Sequence, residues 1–392
     1  MTQKLIAIIG AGVIGLATAY NLLQQGMKQV VVLEQATVDH ERGSSHGSSR
    51  LLRFEYGGDG LYSEMVRLSQ MRWNDLEHQT GRHLYTPTGM LTLGHEDDNF
   101  IEPAYNVLRN LGYSPERLTH SSCVKNFPQF DTQEYNFISY NRNGGMMHAS
   151  ICLQTLRDCI VDMGGIVLEH HRVISIDHED EQQPIQLQLA SGEAMMADRV
   201  IVATGPWVHR LLGELDLPVR LTHQYLLYFA HLPEETYGVN AFPSFMADDL
   251  YGCPMQAIGR NGQRWLKAAS HDFGAPANPD EPHYIDKRRI KQVVQRLYKL
   301  LPALRQATLT HVEAFMYDVS VDEDFILDYM PGDKRIILGT GLSGHAFKFG
   351  ILLGELLSNL LWEQPPVVAT KRFQLSRFSQ WSPPIRAAHS VA

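Results

Sequence analysis

Ile8-Ile9-Gly10-Ala11-Gly12-Val13-Ile14-Gly15 is the stretch on which the reading of this chain turns. Upstream of it, Leu5-Ile6-Ala7-Ile8-Ile9 is an apolar run of strand length. Downstream, Leu16-Ala17-Thr18-Ala19-Tyr20-Asn21-Leu22-Leu23 has helical period and closes at Gly26. A second apolar run, Val30-Val31-Val32-Leu33, ends at Glu34, 19 positions after Gly15. Strand, glycine turn, helix, strand and acid in this order build a dinucleotide site. Gly10 allows the tight turn, Gly12 admits a pyrophosphate to the backbone, and Gly15 permits close packing of helix on strand. Val13 and Ile14 open the helix, whose N-terminal N–H groups and positive dipole end favour phosphate. Glu34 is placed to accept a hydrogen bond from a ribose hydroxyl. The motif calls for a dinucleotide and leaves FAD or NAD open.

At 392 residues the chain has length for two or three domains. Apolar content of 44% and charged content of 20% describe a globular protein with ample core. A net charge of -9 argues against nucleic acid as a partner. Cys123, Cys152, Cys159 and Cys253 make no metal spacing and read as reduced thiols, and no metal is expected. The run from Leu5 to Tyr20 is too short and too glycine-rich to span a membrane, and no membrane partner is expected. The closing His389-Ser390-Val391-Ala392 is no peroxisomal address. The expectation is a cytoplasmic monomer.

Gly43-Ser44-Ser45-His46-Gly47-Ser48-Ser49-Arg50-Leu51-Leu52-Arg53 reads as a loop running close to a ligand and delivering two arginines to it. Apolar spacing through Leu61, Met65, Leu68, Met71, Trp73 and Leu76 predicts a helix to about Thr80. Residues 89–94 read as a short strand. Ile151, Leu153, Leu156, Ile160 and Val161 predict another helix, with Cys152 and Cys159 on it. Runs at 166–169, 172–176 and 185–189 read as successive strands. They lead to Arg199-Val200-Ile201-Val202-Ala203-Thr204-Gly205, an apolar strand ending in Ala-Thr-Gly that tips the choice from NAD to FAD. Ile336-Ile337-Leu338-Gly339-Thr340-Gly341 is a further strand reaching a glycine, followed by a helix at about 350–361. The expected class is α/β (α+β overall). A discontinuous Rossmann-like FAD-binding domain (1–82, 146–217 and 321–392) is joined to a substrate domain on a large mixed or antiparallel sheet (83–145 and 218–320).

Several segments together resemble the monomeric sarcosine oxidase and N-methyl-L-tryptophan oxidase family over essentially the whole chain. They are the arginine loop, the Ala-Thr-Gly strand, Asp322-Glu323-Asp324-Phe325-Ile326-Leu327-Asp328, residues Gly341 to Phe349, and Phe373-Gln374-Leu375-Ser376-Arg377-Phe378. The resemblance implies a flavoprotein that oxidises a secondary amine amino acid to an imine and passes the electrons to oxygen as hydrogen peroxide. It implies that Arg53 and Lys348 clamp the substrate carboxylate, a task suited to a planar fork and a point charge. Arg50 matches the arginine beside the flavin, Lys267 the oxygen-activating lysine, His271 the active-site histidine and Tyr317 a pocket tyrosine. Met246 and Tyr251 match further pocket residues. Cofactor contacts are expected from Gly10, Gly12, Val13, Ile14, Gly15, Glu34, Ser44, His46, Ser49, Arg50, Val173, Thr204, Gly205, Gly341, Gly344, His345, Phe347 and Lys348. An acceptor other than oxygen, or a flavin-binding sensor without turnover, are the rival readings.

The family attaches FAD through a cysteine just before the Met-Tyr matched by Met316-Tyr317. Here that position is Phe315, which cannot form a thioether, so the FAD is expected to be non-covalent. The turn between Met246 and Tyr251, with Asp248 and Asp249, is shorter than the family pattern. Since it shapes the pocket, the choice among N-methyl and cyclic amino acids stays open.

Overall fold

The computed structural model describes residues 4–95, 99–178, 182–257 and 262–378. The closing tetrapeptide lies outside them. At the centre of a six-stranded sheet is Ile6–Ile9, paired in parallel with Val30–Leu33 on one side and Arg199–Val202 on the other. Ile166–Leu168 and Asp333–Thr340 extend the parallel set outward, and Ile326–Met330 closes one edge antiparallel. Ile6–Ile9 and Val30–Leu33 are apolar and buried at every position because the sheet is covered on both faces. Ile6, Ile8, Val30 and Val32 point into one hydrophobic core, whereas Ala7, Ile9, Val31 and Leu33 point into another. This is the two-residue period of a strand. Each such Ile or Val contributes about 1.5–3 kcal/mol by leaving water.

Helix Val13–Gln24 returns over the first face and packs on Gly350–Leu361. The approach is close: a Cβ on Gly354 would stand 2.4 Å from the Ala17 carbonyl carbon, and one on Gly350 2.4 Å from Val13 Cγ2. Helix Ala149–Asp162 buries Leu153, Leu156 and Ile160 in the same core; Cys152 is buried there as a free thiol. Helix Gly60–Thr80 starts where Asp59 accepts from the Leu61 and Tyr62 N–H groups and stops at left-handed Gly81. Met71, assigned to its apolar stripe, is half exposed.

The three runs between 166 and 189 form successive strands, divided between two sheets. Ile166–Leu168 belongs to the parallel sheet, while Val173–Asp177 and Ile185–Leu189 pair antiparallel in a separate three-stranded sheet with Ala194–Ala197. The alternation in Ile185–Leu189 explains the split, since Ile185 and Leu187 join the core on the second face of the parallel sheet.

A mixed eight-stranded sheet runs in the order Thr308–Ser320, Val219–Ala230, Arg264–Ser270, Leu250–Ala257, Ser244–Ala247, Met90–Gly94, Phe137–Asn141 and Glu116–Leu118. Only the contact between Ser244–Ala247 and Met90–Gly94 is parallel. Tyr225, Leu227 and Phe229 face a core shared with helix Lys287–Leu300, and Leu226 and Tyr228 face the opposite way, with Phe315 and Tyr317. Among the described residues no helix is long and apolar enough to cross a membrane.

Candidate active site between the two sheets

Two adjoining cavities lie at the seam and share Val13, Ser44, Ser45, Asp318 and Leu342. The first opens at the carboxyl ends of the parallel strands, where ligands of such sheets bind. Gly10, Gly12, Val13, Ile14 and Glu34 line it, with Ser44, His46, Val173, Thr204 and Gly205. Gly10 has φ of +103° and a Cβ there would lie 2.4 Å from the Ala203 carbonyl oxygen. A Cβ on Gly15 would lie 1.9 Å from the Gly10 oxygen, so this glycine serves packing and does not line the cavity. Gly12, by contrast, faces only Ser45 Oγ, 3.2 Å from the position of a Cβ.

Helix Val13–Gln24 has neither a capping side chain on Gly12 nor an acid in its first turn, which leaves its positive end uncompensated. The Val13 N–H donates to Ser45 Oγ at 3.1 Å. Glu34 is buried and accepts from the Ala11 N–H at 2.8 Å and the Ala36 N–H at 3.0 Å. Its carboxylate therefore braces the glycine turn, with lone pairs left over for a hydroxyl. The Thr204 hydroxyl is buried on the cavity wall without a partner. A cradle open at Gly12, a helix N-terminus without an acid, a buried acid and an orphan hydroxyl fit the dinucleotide of FAD. Ser45, His40 and Trp207 also line this cavity, and Arg42 lies 5.6 Å over the Trp207 ring. Sequence spacing carried no sign of the last three.

The second cavity, of about 1060 Å³, holds Arg50, Arg53, Met246, Tyr251, His271, Phe315, Tyr317, Gly344, His345, Phe347 and Lys348 on its wall. Met246 and Tyr251 are directly opposite each other in a hairpin whose two-residue turn is Asp248-Asp249, with Asp248 at φ +54°. The Asp249 carbonyl accepts from the His271 N–H at 2.7 Å, which ties the hairpin to the histidine. Gly344 is required because a Cβ there would stand 2.2 Å from the Tyr317 ring.

Arg53 and Lys348 flank Tyr56, with Arg53 Cζ 4.2 Å and Lys348 Nζ 5.1 Å from its ring centre. Lys348 is 4% exposed, and its Nζ donates to the His345 carbonyl at 2.9 Å. Neither cation forms an ion pair among the described residues. Burial, reinforced by Arg53, holds the Lys348 pKa well below the ordinary lysine range. His345 stacks on Phe325 at 4.7 Å. Its Nε2 lies 3.2 Å from the Glu323 carbonyl, which can only accept, so Nδ1 at 3.1 Å accepts from the Tyr56 hydroxyl. Burial keeps that imidazole neutral. Burial, helped by Arg53 and Lys348, also pushes His271 down to about 4. Both histidines are thus uncharged at neutral pH.

Lys267 is 1% exposed and is not on the cavity wall; its Nζ donates to the Ser49 carbonyl. Burial lowers it to about 8. Arg50 Nη1 donates to the same carbonyl at 2.9 Å, and its Cζ lies 5.8 Å from the rings of both Phe315 and Phe347. Ser49 is buried with its hydroxyl unpartnered, and Gly341, at φ +61°, packs on Ile326 and Ser320. Tyr56 and the buried Glu55 escaped sequence reasoning; the chain order Arg53-Phe54-Glu55-Tyr56 was the available signal. Among the described residues no group of His, Cys, Asp and Glu is placed to hold a metal.

Residues 6–360 match the family model described as FAD dependent oxidoreductase. The chain is 30% identical over 382 residues to peroxisomal sarcosine oxidase of Mus musculus, covering 96% of each protein. It is 28% identical to N-methyl-L-tryptophan oxidase of Yersinia pestis (strain Pestoides F), over 95% of this chain and 99% of the relative. The fold superposes on L-proline dehydrogenase from P.horikoshii with a TM-score of 0.82 at 16% identity, covering 96% of this chain and 98% of that one.

Proposed function

Because the chain belongs to the FAD dependent oxidoreductase family, we propose that it oxidises a secondary amine amino acid, N-methyl or cyclic, to an imine that hydrolyses in water. Oxygen is the acceptor and hydrogen peroxide the product. The observation that carries this reading is the pair Arg53 and Lys348 about Tyr56, two cations without an ion pair among the described residues on one cavity wall. Such a pair calls for an anion, and a carboxylate matches the guanidinium fork. The same positive field disfavours an ammonium group nearby, so the substrate binds as its free amine and needs no strong base from the chain. FAD, when bound, supplies the two-electron acceptor.

In this reading Arg53 and Lys348 hold the carboxylate, and Tyr317, Tyr251 and Met246 close on the rest of the substrate. His271, neutral, offers a hydrogen bond without adding charge, and neutral His345 holds Tyr56 in place between the two cations. Arg50 is the fixed cation of the reacting end and Lys267 the group that promotes reaction with oxygen. The boundaries 1–82, 146–217 and 321–392 for the cofactor unit, and 83–145 and 218–320 for the substrate unit, belong to this proposal. A panel of N-methyl and cyclic amino acids, added without air and read by flavin bleaching, tests it. The expected result is bleaching by at least one, with peroxide formed on admitting air. Bleaching without peroxide removes oxygen as acceptor, and no bleaching by any member removes the activity.

Phe315 is 3% exposed and sits at the cavity wall in the position of the family's linking cysteine, so the FAD is proposed to be held without a covalent bond. Acid precipitation of the purified protein is expected to leave the yellow colour in the supernatant. Colour in the pellet contradicts the proposal.

A further inference from the structure

Three strands of the large sheet present a charged cluster to the arginine loop. Tyr228 is directly opposite Lys267, and Leu226, two residues from Tyr228, is directly opposite Glu313. Lys267, Tyr228 and Glu313 therefore stand on one face of the sheet. Buried Lys267 and half-buried Arg50 donate to one carbonyl, that of Ser49, and so bring two positive charges together. Two like charges in such a place need an anion beside them. Over Gly47, a Cβ position is 3.3 Å from Arg50 Nη1 and 3.6 Å from Glu313 Oε1, so the guanidinium and the carboxylate border the same glycine. The Tyr228 hydroxyl, on a side chain 1% exposed, donates to Glu313 Oε2 at 2.7 Å and fixes it.

We propose that Glu313, oriented by Tyr228, is a positioning residue: the counter-charge that keeps Lys267 protonated beside Arg50. This rests on the reading of Lys267 as the residue that promotes reaction with oxygen, where a neutral amine gives no electrostatic help. The groups around Lys267 are Tyr228 from the neighbouring strand, Cys253 opposite it in Leu250–Ala257, Glu313 and His311 from Thr308–Ser320, and Arg50 from the loop. Of these, Glu313 is the only carboxylate. Tyr228 stays a phenol, its proton held by burial and by Glu313.

The test is a pH titration of the Lys267 side-chain NMR signal in holoenzyme labelled on lysine, assigned by its loss in Lys267→Met. In the parent the midpoint is expected near about 8. In Glu313→Gln it falls by about half a unit, which lowers the charged fraction at neutral pH. Glu313→Asp restores most of the shift. Should Glu313→Gln fail to fold, Tyr228→Phe, which removes only the orienting hydroxyl, moves the midpoint the same way by less. A midpoint unchanged in the folded variant overturns the proposal, because a merely structural role alters stability and leaves this titration in place. Oxygen reactivity is measured separately on Lys267→Met. Loss of the lysine's function there, or its persistence, is distinguishable from the titration result.

Discussion

Lys267→Met is expected to slow reaction of the substrate-reduced enzyme with oxygen by about 10²–10³-fold. Anaerobic reduction by the amine should change far less. The size follows from burial: at 1% exposure the ammonium acts in a medium of low effective dielectric. A unit charge at 4 Å from a forming anion is worth about 4 kcal/mol at an effective dielectric of 20. Methionine keeps a similar length without the charge, so the site loses an electrostatic partner and gains no cavity. It also relieves the burial of a cation, and thermal stability is expected to hold or rise. Stopped-flow traces of the two half-reactions check this. Reoxidation at the parent rate would remove Lys267 from the mechanism, and equal slowing of both halves would point to general damage.

Gly15→Ala should yield protein without flavin and with stability lowered by about 3 kcal/mol or more. The added methyl would begin 1.9 Å from the Gly10 carbonyl oxygen, a backbone atom that has no rotamer to change. Gly10 cannot retreat, since its own neighbour is the Ala203 carbonyl. The helix must therefore lift off the strand, and the turn that receives the pyrophosphate opens with it. Gly12→Ala is the control, because its methyl meets only Ser45 Oγ, at 3.2 Å, and points toward the cavity. It should fold as the parent does, with any loss confined to flavin content. Flavin absorbance relative to protein absorbance, together with a thermal melt, separates the two variants. A Gly15→Ala protein carrying a full complement of FAD would refute the packing role.

The nucleotide half of the molecule was open to reading because its determinants are local. Gly10, Gly12 and Gly15 act within one turn, and the apolar runs 6–9, 30–33 and 200–202 are buried on both faces, so composition alone marks them as inner strands. The reaction end was less open. Arg50, Arg53 and Lys348 were named through a family pattern, yet nothing in their spacing says that Arg53 and Lys348 close on the same ring, Tyr56. The runs between Ile166 and Leu189 were legible as strands but not by sheet, because strand character is local, whereas the sheet a strand joins depends on partners such as Val31 and Met195.

What the sequence determined by itself is therefore the dinucleotide turn and the α/β class, both set by residue type within short windows, whereas the choice of FAD needed the distant Ala203-Thr204-Gly205 and the meaning of Phe315 needed the family resemblance. Only the tertiary structure decided that Glu34 braces the turn through Ala11, that Lys267 is buried against Ser49, and that Glu313 and Tyr228 stand on its face. Those relations arise from strand register and close packing across more than 200 residues of chain between Ser49 and Lys267. Burial at the end of that folding also sets which of these groups stay charged.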